Sequence, residues 1–335
     1  MSRSTTSLLL LGLSLASQGA ALPKPPTQAE NWSGWSGVRH FFTFGNSYTQ
    51  TGFEVDGEQP SDANPMGNPP YPGWTSSNGP NWVGFLTTTF NHSTILNYNL
   101  AYGGATVDAD LVAPYTPTVR SLKDQVTDEF LPAYGTGESD WTSKDSLFAF
   151  FIGINDVGGS YWDRNETLYD EIFSVYSGLV DDLYETGARN FLFLNVPPVD
   201  RAPLTTEQGE EAMALEDAAI KDWNKRVVQM AGNLRTNYTG TYVAEFDYHK
   251  LFGAVMDDPS AYPETAVYKN TTGYCPEYED GTDDWYTLLP ACDIAVNEYF
   301  WLNNLHPTFP VNNATAREIV EMLDSETEDK YYATA

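Results

Sequence analysis

Basic residues are scarce in this 335-residue chain: 17 Lys and Arg stand against 46 Asp and Glu, a formal net charge of −29. That balance argues against nucleic acid and anionic membrane as partners, because phosphate-bearing surfaces are bound through Lys and Arg. It suits a protein dissolved in an acidic external medium. Cysteines number two and histidines four. No cluster of His, Cys and carboxylates has the spacing of metal ligands, so neither a metal nor a cofactor is expected. Internal repeats and low-complexity linkers are absent too, which favours one domain over two. Around Ser47 there is no Gly-x-Ser-x-Gly, so a nucleophile elbow of the α/β-hydrolase type is excluded.

Long apolar runs are missing beyond the N-terminus. Residues 1–21 carry Arg3, the run Leu8–Leu15 and then Gly19-Ala20-Ala21. This is the layout of a secretory signal peptide whose apolar core is too short to span a bilayer. A secreted, extracellular protein is therefore expected. Six Asn-x-Ser/Thr sequons, at Asn31, Asn91, Asn165, Asn237, Asn270 and Asn313, fit a glycoprotein of the secretory route. In that oxidising compartment Cys275 and Cys292 are expected to pair and close a short loop, rather than persist as buried thiols. Aromatic residues reach 14%, with 21 Tyr and 9 Trp. Two readings stay open: rings exposed for a sugar, or rings used in the core.

Residues 22–37 read as an extended lead-in. Five runs rich in β-branched and aromatic residues then follow: Arg39–Phe44, Thr94–Leu100, Ser146–Ile152, Asn190–Val196 and Tyr242–Phe246. Each is nearly continuously apolar, as parallel strands covered on both faces are. Helical spacing lies between them, clearest in Leu168, Ile172, Val175, Tyr176, Leu179, Val180 and Leu183, ending at Thr186-Gly187. Further helices are predicted over about 82–90, 121–130, 206–232 and from Pro307-Thr308 to about Met322. The alternation predicts an α/β fold, a five-stranded parallel sheet in a three-layer α/β/α sandwich, in the order 2-1-3-4-5. One domain covers 38–335. Two insertions stand out: Phe53–Asn81, with six Pro and four Gly, and Asp257–Pro290, which holds Cys275 and ends two residues before Cys292.

Three short blocks fall at the carboxyl ends of the first three strands, where open α/β sheets bind ligands. Ser47 in Phe44-Gly45-Asn46-Ser47 offers a hydroxyl nucleophile, although a strand-end Ser alone is usually a turn former or cap. Gly103-Gly104 lets backbone approach a substrate and present an N–H, or forms a plain turn. Asn155, in Gly153-Ile154-Asn155-Asp156, offers a side-chain amide to the same oxyanion, or caps a helix. Among the histidines, His40 lies at the wrong end of the first strand and His92 sits inside a sequon. His249, after the fifth strand, and His306, in Asn303-Asn304-Leu305-His306-Pro307-Thr308, both remain candidate bases.

The four blocks together, in this order, resemble the SGNH hydrolases, also called GDSL esterases/lipases. The resemblance spans roughly residues 39–325. The Asn-rich first block and Trp301…His306-Pro307-Thr308 look similar to fungal secreted acetylesterases of carbohydrate esterase family sixteen. It implies that Ser47 is the nucleophile, that His306 is the base, and that the N–H groups of Ser47 and Gly104 with the Asn155 amide form the oxyanion hole. Gly104, which directly precedes Ala105-Thr106, is the matching glycine. Two positions depart from the family pattern. Asn46 replaces an Asp whose job is turn hydrogen bonding. Asn303 replaces the Asp three residues before His306, which predicts a Ser-His dyad with Asn303 at most orienting the ring. Some other group, a backbone carbonyl or a water, is then expected on Nδ1. The expected activity is hydrolysis of acetyl esters on plant cell-wall oligosaccharides by a monomer. Tyr71 and Trp74 of the first insertion are candidate sugar-stacking residues. The alternatives are a lipase or lysophospholipase of the same fold, for which that insertion is too poor in apolar residues, and a carbohydrate-binding pseudoenzyme.

Overall fold

Five parallel strands, β1 (His40–Gly45), β2 (Leu96–Asn99), β3 (Ser146–Phe151), β4 (Asn190–Leu194) and β5 (Tyr242–Phe246), pair in the order β2-β1-β3-β4-β5. The computed structural model describes residues 31–163, 165 and 167–325; the signal segment and residues 22–30 of the lead-in lie outside them. Every residue of β1, β3 and β4 is buried, as the nearly continuous apolar runs predict for strands covered on both faces.

Helices α1 (Trp82–Thr88), α2 (Ile154–Ser160), α3 (Leu168–Glu185), α4 (Glu210–Asn237), α5 (Tyr248–Asp257) and α6 (Phe309–Asp324) provide most of the two outer layers. Alternation along the strands assigns them to faces. Phe41 meets Trp82 of α1, and Phe151 meets Tyr248 of α5, while Phe42 on the opposite face packs on Phe130 and Phe150 on Tyr176 of α3. The result is the expected three-layer sandwich.

The parallel register places aromatic residues side by side. Tyr98, Phe42 and Phe148 stack at 4.8 and 5.0 Å, and Phe44, Phe150 and Phe193 at 5.0 and 5.3 Å. Much of the aromatic content is thus core, and among the described residues the large rings left exposed are Tyr71, Trp74, Tyr115, Trp162 and Tyr286. The lead-in is tied down where it is described: Trp35 is fully buried and Trp32 stacks on Tyr242 at 4.1 Å.

Several helical regions differ from expectation. The long helix begins at Glu210, not Thr206, because the short turn Pro203–Thr206 ends before Gly209. The segment predicted over 121–130 is Leu122–Asp124 followed by a wide π turn over Gln125–Phe130, and helical structure resumes over Leu131–Tyr134. Its buried Gln125 accepts from Gly45 N at 2.9 Å and donates to Gly45 O at 2.8 Å. Helix α5, whose first turn includes His249, is absent from the predicted set, although Tyr248, Leu251, Phe252, Val255 and Met256 repeat at helical spacing on its buried face.

Candidate active site

The first block leaves β1 through Gly45, which approaches β3 so closely that a Cβ there would sit 2.2 Å from Phe151 O. Gly45 O also accepts from Tyr102 N at 3.0 Å, joining the first block to the second. Asn46 is fully buried, and its Oδ1 accepts from Tyr48 N at 3.1 Å, closing the turn that presents half-buried Ser47. The turn-bonding role expected of this position is thus filled by the amide.

The glycine turn lies against this loop: a Cβ on Gly103 would stand 3.9 Å from Ser47 Cβ. Gly104 holds φ +84°, a left-handed conformation suited to glycine. From β3, Asn155 in the first turn of α2 donates through Nδ2 to Ala105 O at 2.8 Å. The amide is therefore fixed against the glycine turn, and its second N–H remains for a ligand. Buried Asp156 accepts from Val107 N at 2.9 Å, and burial pushes its carboxyl up to about 7.

The histidine block is a tight hairpin. Leu302 N donates to His306 O at 2.8 Å, and Trp301 pairs with Pro307. Across the resulting gap, His306 Nε2 lies 2.8 Å from Ser47 Oγ. The other ring nitrogen, Nδ1, lies 3.1 Å from Asn303 Oδ1. That oxygen also accepts from Leu305 N at 3.1 Å and His306 N at 2.9 Å, which fixes the Asn303 rotamer. The group expected on Nδ1 is therefore Asn303 itself rather than a carbonyl or a water. Burial lowers the His306 pKa to about 4 and is the only cause of the shift, so the resting ring is neutral. Such an arrangement can draw the hydroxyl proton of Ser47 onto Nε2.

Tyr48 escaped the sequence reading. Its buried hydroxyl donates to Leu305 O at 2.6 Å, and its ring lies 5.6 Å from that of His306. One side chain thereby ties the serine loop to the histidine hairpin. The other candidate base is elsewhere: His249 donates its backbone N–H to Asn195 Oδ1, and its buried Nε2 has no hydrogen-bond partner. His40 stands at the amino end of β1, 3.6 Å from Asp145, and exposed His92 pairs with Asp324.

A groove of about 520 Å³ opens from His306 and Asn303 between the two insertions. Pro72–Ser76, Asn78 and Gly79 form one wall, and Glu279–Asp283 with Trp285 the other. Trp285 is a groove residue that sequence reading missed, because it lies in a loop without periodicity. Asn78 bridges the walls, accepting from Thr282 N at 2.7 Å and donating to Thr282 Oγ1 at 3.0 Å. The Cys275–Cys292 disulfide closes the second wall, with a Cα–Cα distance of 5.9 Å. Trp74 lines the groove; Tyr71 does not, and packs instead over Gly84 of α1. A second, enclosed space of only about 10 Å³ lies beside Ser47, lined by Tyr48, Ser76, Ser77, Asn81, His306 and Asn312.

Of the six sequons, Asn165 and Asn237 are exposed, while Asn91 and Asn270 are half-buried. Asn31 donates its Nδ2 to Gly240 O at 2.9 Å, and Asn313 is half-buried within α6. No helix among the described residues is long and apolar enough to cross a membrane.

The family model described as GDSL-like lipase/acylhydrolase matches residues 41–319. The chain is similar to an acetylesterase of Thermothelomyces thermophilus, 36% identical over 326 residues, covering 95% of this chain and 96% of that protein. It is also similar to an acetylesterase of Hypocrea jecorina, at 23% over 322 residues, covering 85% and 88%. Among solved structures, Axe2, an acetylxylan esterase from Geobacillus stearothermophilus, aligns at 14% identity with a TM-score of 0.48, covering 86% of this chain and 95% of that one.

Proposed function

This chain belongs to the GDSL-like lipase/acylhydrolase family and is a carboxylic ester hydrolase; from that premise we propose that it is a secreted esterase removing acetyl groups from plant cell-wall oligosaccharides. The observation that carries the proposal is Ser47 Oγ lying 2.8 Å from His306 Nε2, with Asn303 Oδ1 on the far ring nitrogen. In the first half-reaction the Ser47 proton moves to Nε2 while Oγ attacks the ester carbonyl. The oxyanion takes the N–H groups of Ser47 and Gly104 and the free N–H of Asn155, each worth a few kcal/mol of transition-state stabilisation. Collapse expels the sugar alkoxide, which receives the proton from His306. Water, giving its proton to the same nitrogen, then attacks the acyl-serine; collapse breaks the bond to Ser47 Oγ, which takes the proton back from His306, and acetate leaves.

The short acyl group is supported by the space available. The space beside Ser47, about 10 Å³, is no larger than one water needs and leaves no room there for a long acyl chain, and the open groove is lined largely by polar residues. A fatty acyl chain needs an apolar channel, so the lipase reading is the weaker one. The imidazolium formed in each step meets a neutral amide oxygen rather than a carboxylate, so Asn303 orients the ring without supplying charge. Export is supported by the N-terminal signal layout, the sequons and the disulfide.

Ser47→Ala is expected to abolish hydrolysis of p-nitrophenyl acetate while leaving the fold intact, and an organophosphate is expected to label Ser47 in the wild type. Labelling at another residue, or a variant with near wild-type rate, refutes the assignment and revives the pseudoenzyme alternative.

A further inference from the structure

We infer that the groove beside His306 accepts the alcohol half of the ester as an uncharged or cationic glycan or polyol and rejects one that carries a carboxylate. The inference rests on the esterase reading for its chemistry, but the selection by charge belongs to the groove alone.

Glu279, Asp280 and Asp283 stand in one exposed run along the groove wall, and none of them forms an ion pair among the described residues. Among the described residues, no Lys or Arg lines either wall. The acidic run is also held in place. Glu279 O accepts from Asn303 Nδ2 at 3.3 Å, and Thr282 is clasped by Asn78. The carboxylates therefore border the path that the alcohol takes from Ser47.

The opposite wall supplies a surface for an uncharged ring. Trp74 is 71% exposed, yet a Cβ on Gly52 would come within 2.7 Å of its indole. One face of the ring is thus packed on backbone and another is left to solvent. Trp285 is held across the groove by Phe309, with ring centroids 5.7 Å apart. Indole faces stack on the C–H faces of neutral sugars, whereas a uronate would bring its charge towards three unpaired carboxylates.

At about 8 Å in a water-like dielectric, each carboxylate weakens an anion roughly twofold, and three together roughly tenfold. At about 0.5 M salt the screening length falls to about 4 Å, and the discrimination shrinks to less than about twofold.

Two measurements test this. The first compares kcat/KM for 4-acetoxybenzoate with that for its neutral methyl ester, at low salt and at about 0.5 M NaCl. The neutral ester is expected to lead by roughly tenfold more at low salt than at high salt. The Asp280→Asn/Asp283→Asn double variant is expected to lose most of that salt-dependent margin. A margin unmoved by salt and by both substitutions overturns the inference.

The second measures binding, by calorimetry on the Ser47→Ala protein, of a neutral xylo-oligosaccharide and its glucuronic-acid-branched counterpart. Preference for the neutral glycan supports the inference; equal binding, reversed preference or no binding of either overturns it. If the wild type hydrolyses neither ester while the binding preference stands, the esterase roles of Ser47 and His306 fail and the charge selection survives.

Discussion

Asn303→Asp isolates the contribution of one charge to this site. The replacement is isosteric and can keep Oδ1 on His306 Nδ1, now 3.1 Å away, and on the backbone N–H groups of Leu305 and His306. It gives up only the longer bond from Nδ2 to Glu279 O, at 3.3 Å. In the wild type, burial holds the ring pKa down to about 4. A carboxylate in contact raises a neighbouring base by about 1 to 3 units, so the ring should titrate between roughly 5 and 7. The base must be neutral to take the serine proton, so activity is lost as pH falls through the ring pKa. The acid limb of kcat/KM is therefore expected near pH 4 in the wild type and 1 to 3 units higher, by about that shift, in the variant. Above both limbs the variant gains, because the transition-state imidazolium acquires a counter-charge. One to three units correspond to about 1.4 to 4 kcal/mol, which bounds the gain at about tenfold to a thousandfold. The two profiles should cross, with the wild type faster in acid and the variant faster near neutrality. Stopped assays with p-nitrophenyl acetate from about pH 3 to pH 8 cover both limbs. An acid limb that stays in place, or moves to lower pH, refutes the contact between Asn303 and the ring.

Tyr48→Phe removes the hydroxyl that donates to Leu305 O and leaves that carbonyl unsatisfied, at about 1 to 3 kcal/mol; kcat for p-nitrophenyl acetate is expected to fall at least about fivefold with KM little changed, and an unchanged kcat refutes the tether. Replacing both Cys275 and Cys292 by Ala opens a loop with a sequence separation of 17, expected to lower unfolding free energy by about 3 kcal/mol in denaturant titration. The same variant should raise KM for acetylated xylo-oligosaccharide more than for p-nitrophenyl acetate, since the loop is one groove wall; equal rises refute that link. Trp74→Ala should show the same substrate-dependent rise in KM, whereas Tyr71→Ala, away from the groove, should not; matching effects from the two variants contradict the stacking role.

Much of this molecule could be read from its sequence because the sheet is buried on both faces. Nearly continuous apolar runs such as Phe41–Phe44 and Leu147–Phe151 mark such strands, and three of the four chemistry-bearing blocks lie directly after a strand. What could not be read depends on distant partners. Tyr48 is a tether only because the fold brings Leu305 to it across 257 positions. Gln125 looks like an ordinary surface residue of an amphipathic helix, yet it turns inward to bind both polar groups of Gly45. At Asn303 the sequence reveals the missing charge but not the hydrogen bonds to Leu305 and His306 that lock the amide against the ring. Between Tyr71 and Trp74, three residues apart on one loop, composition offers no way to choose.

The clasp between Asn78 and Thr282 joins two segments that hang from the sheet's edge and contribute nothing to the strands themselves. Serine, histidine and glycine turn are anchored separately, by Gly45, Tyr48 and Ala105. Recognition and chemistry are therefore largely separable parts of this molecule, joined at the hydrogen bond from Asn303 to Glu279 O. Lengthening, recharging or exchanging the two wall loops as a matched pair would retune which alcohol is admitted, while the bond-breaking apparatus beneath them stays as it is.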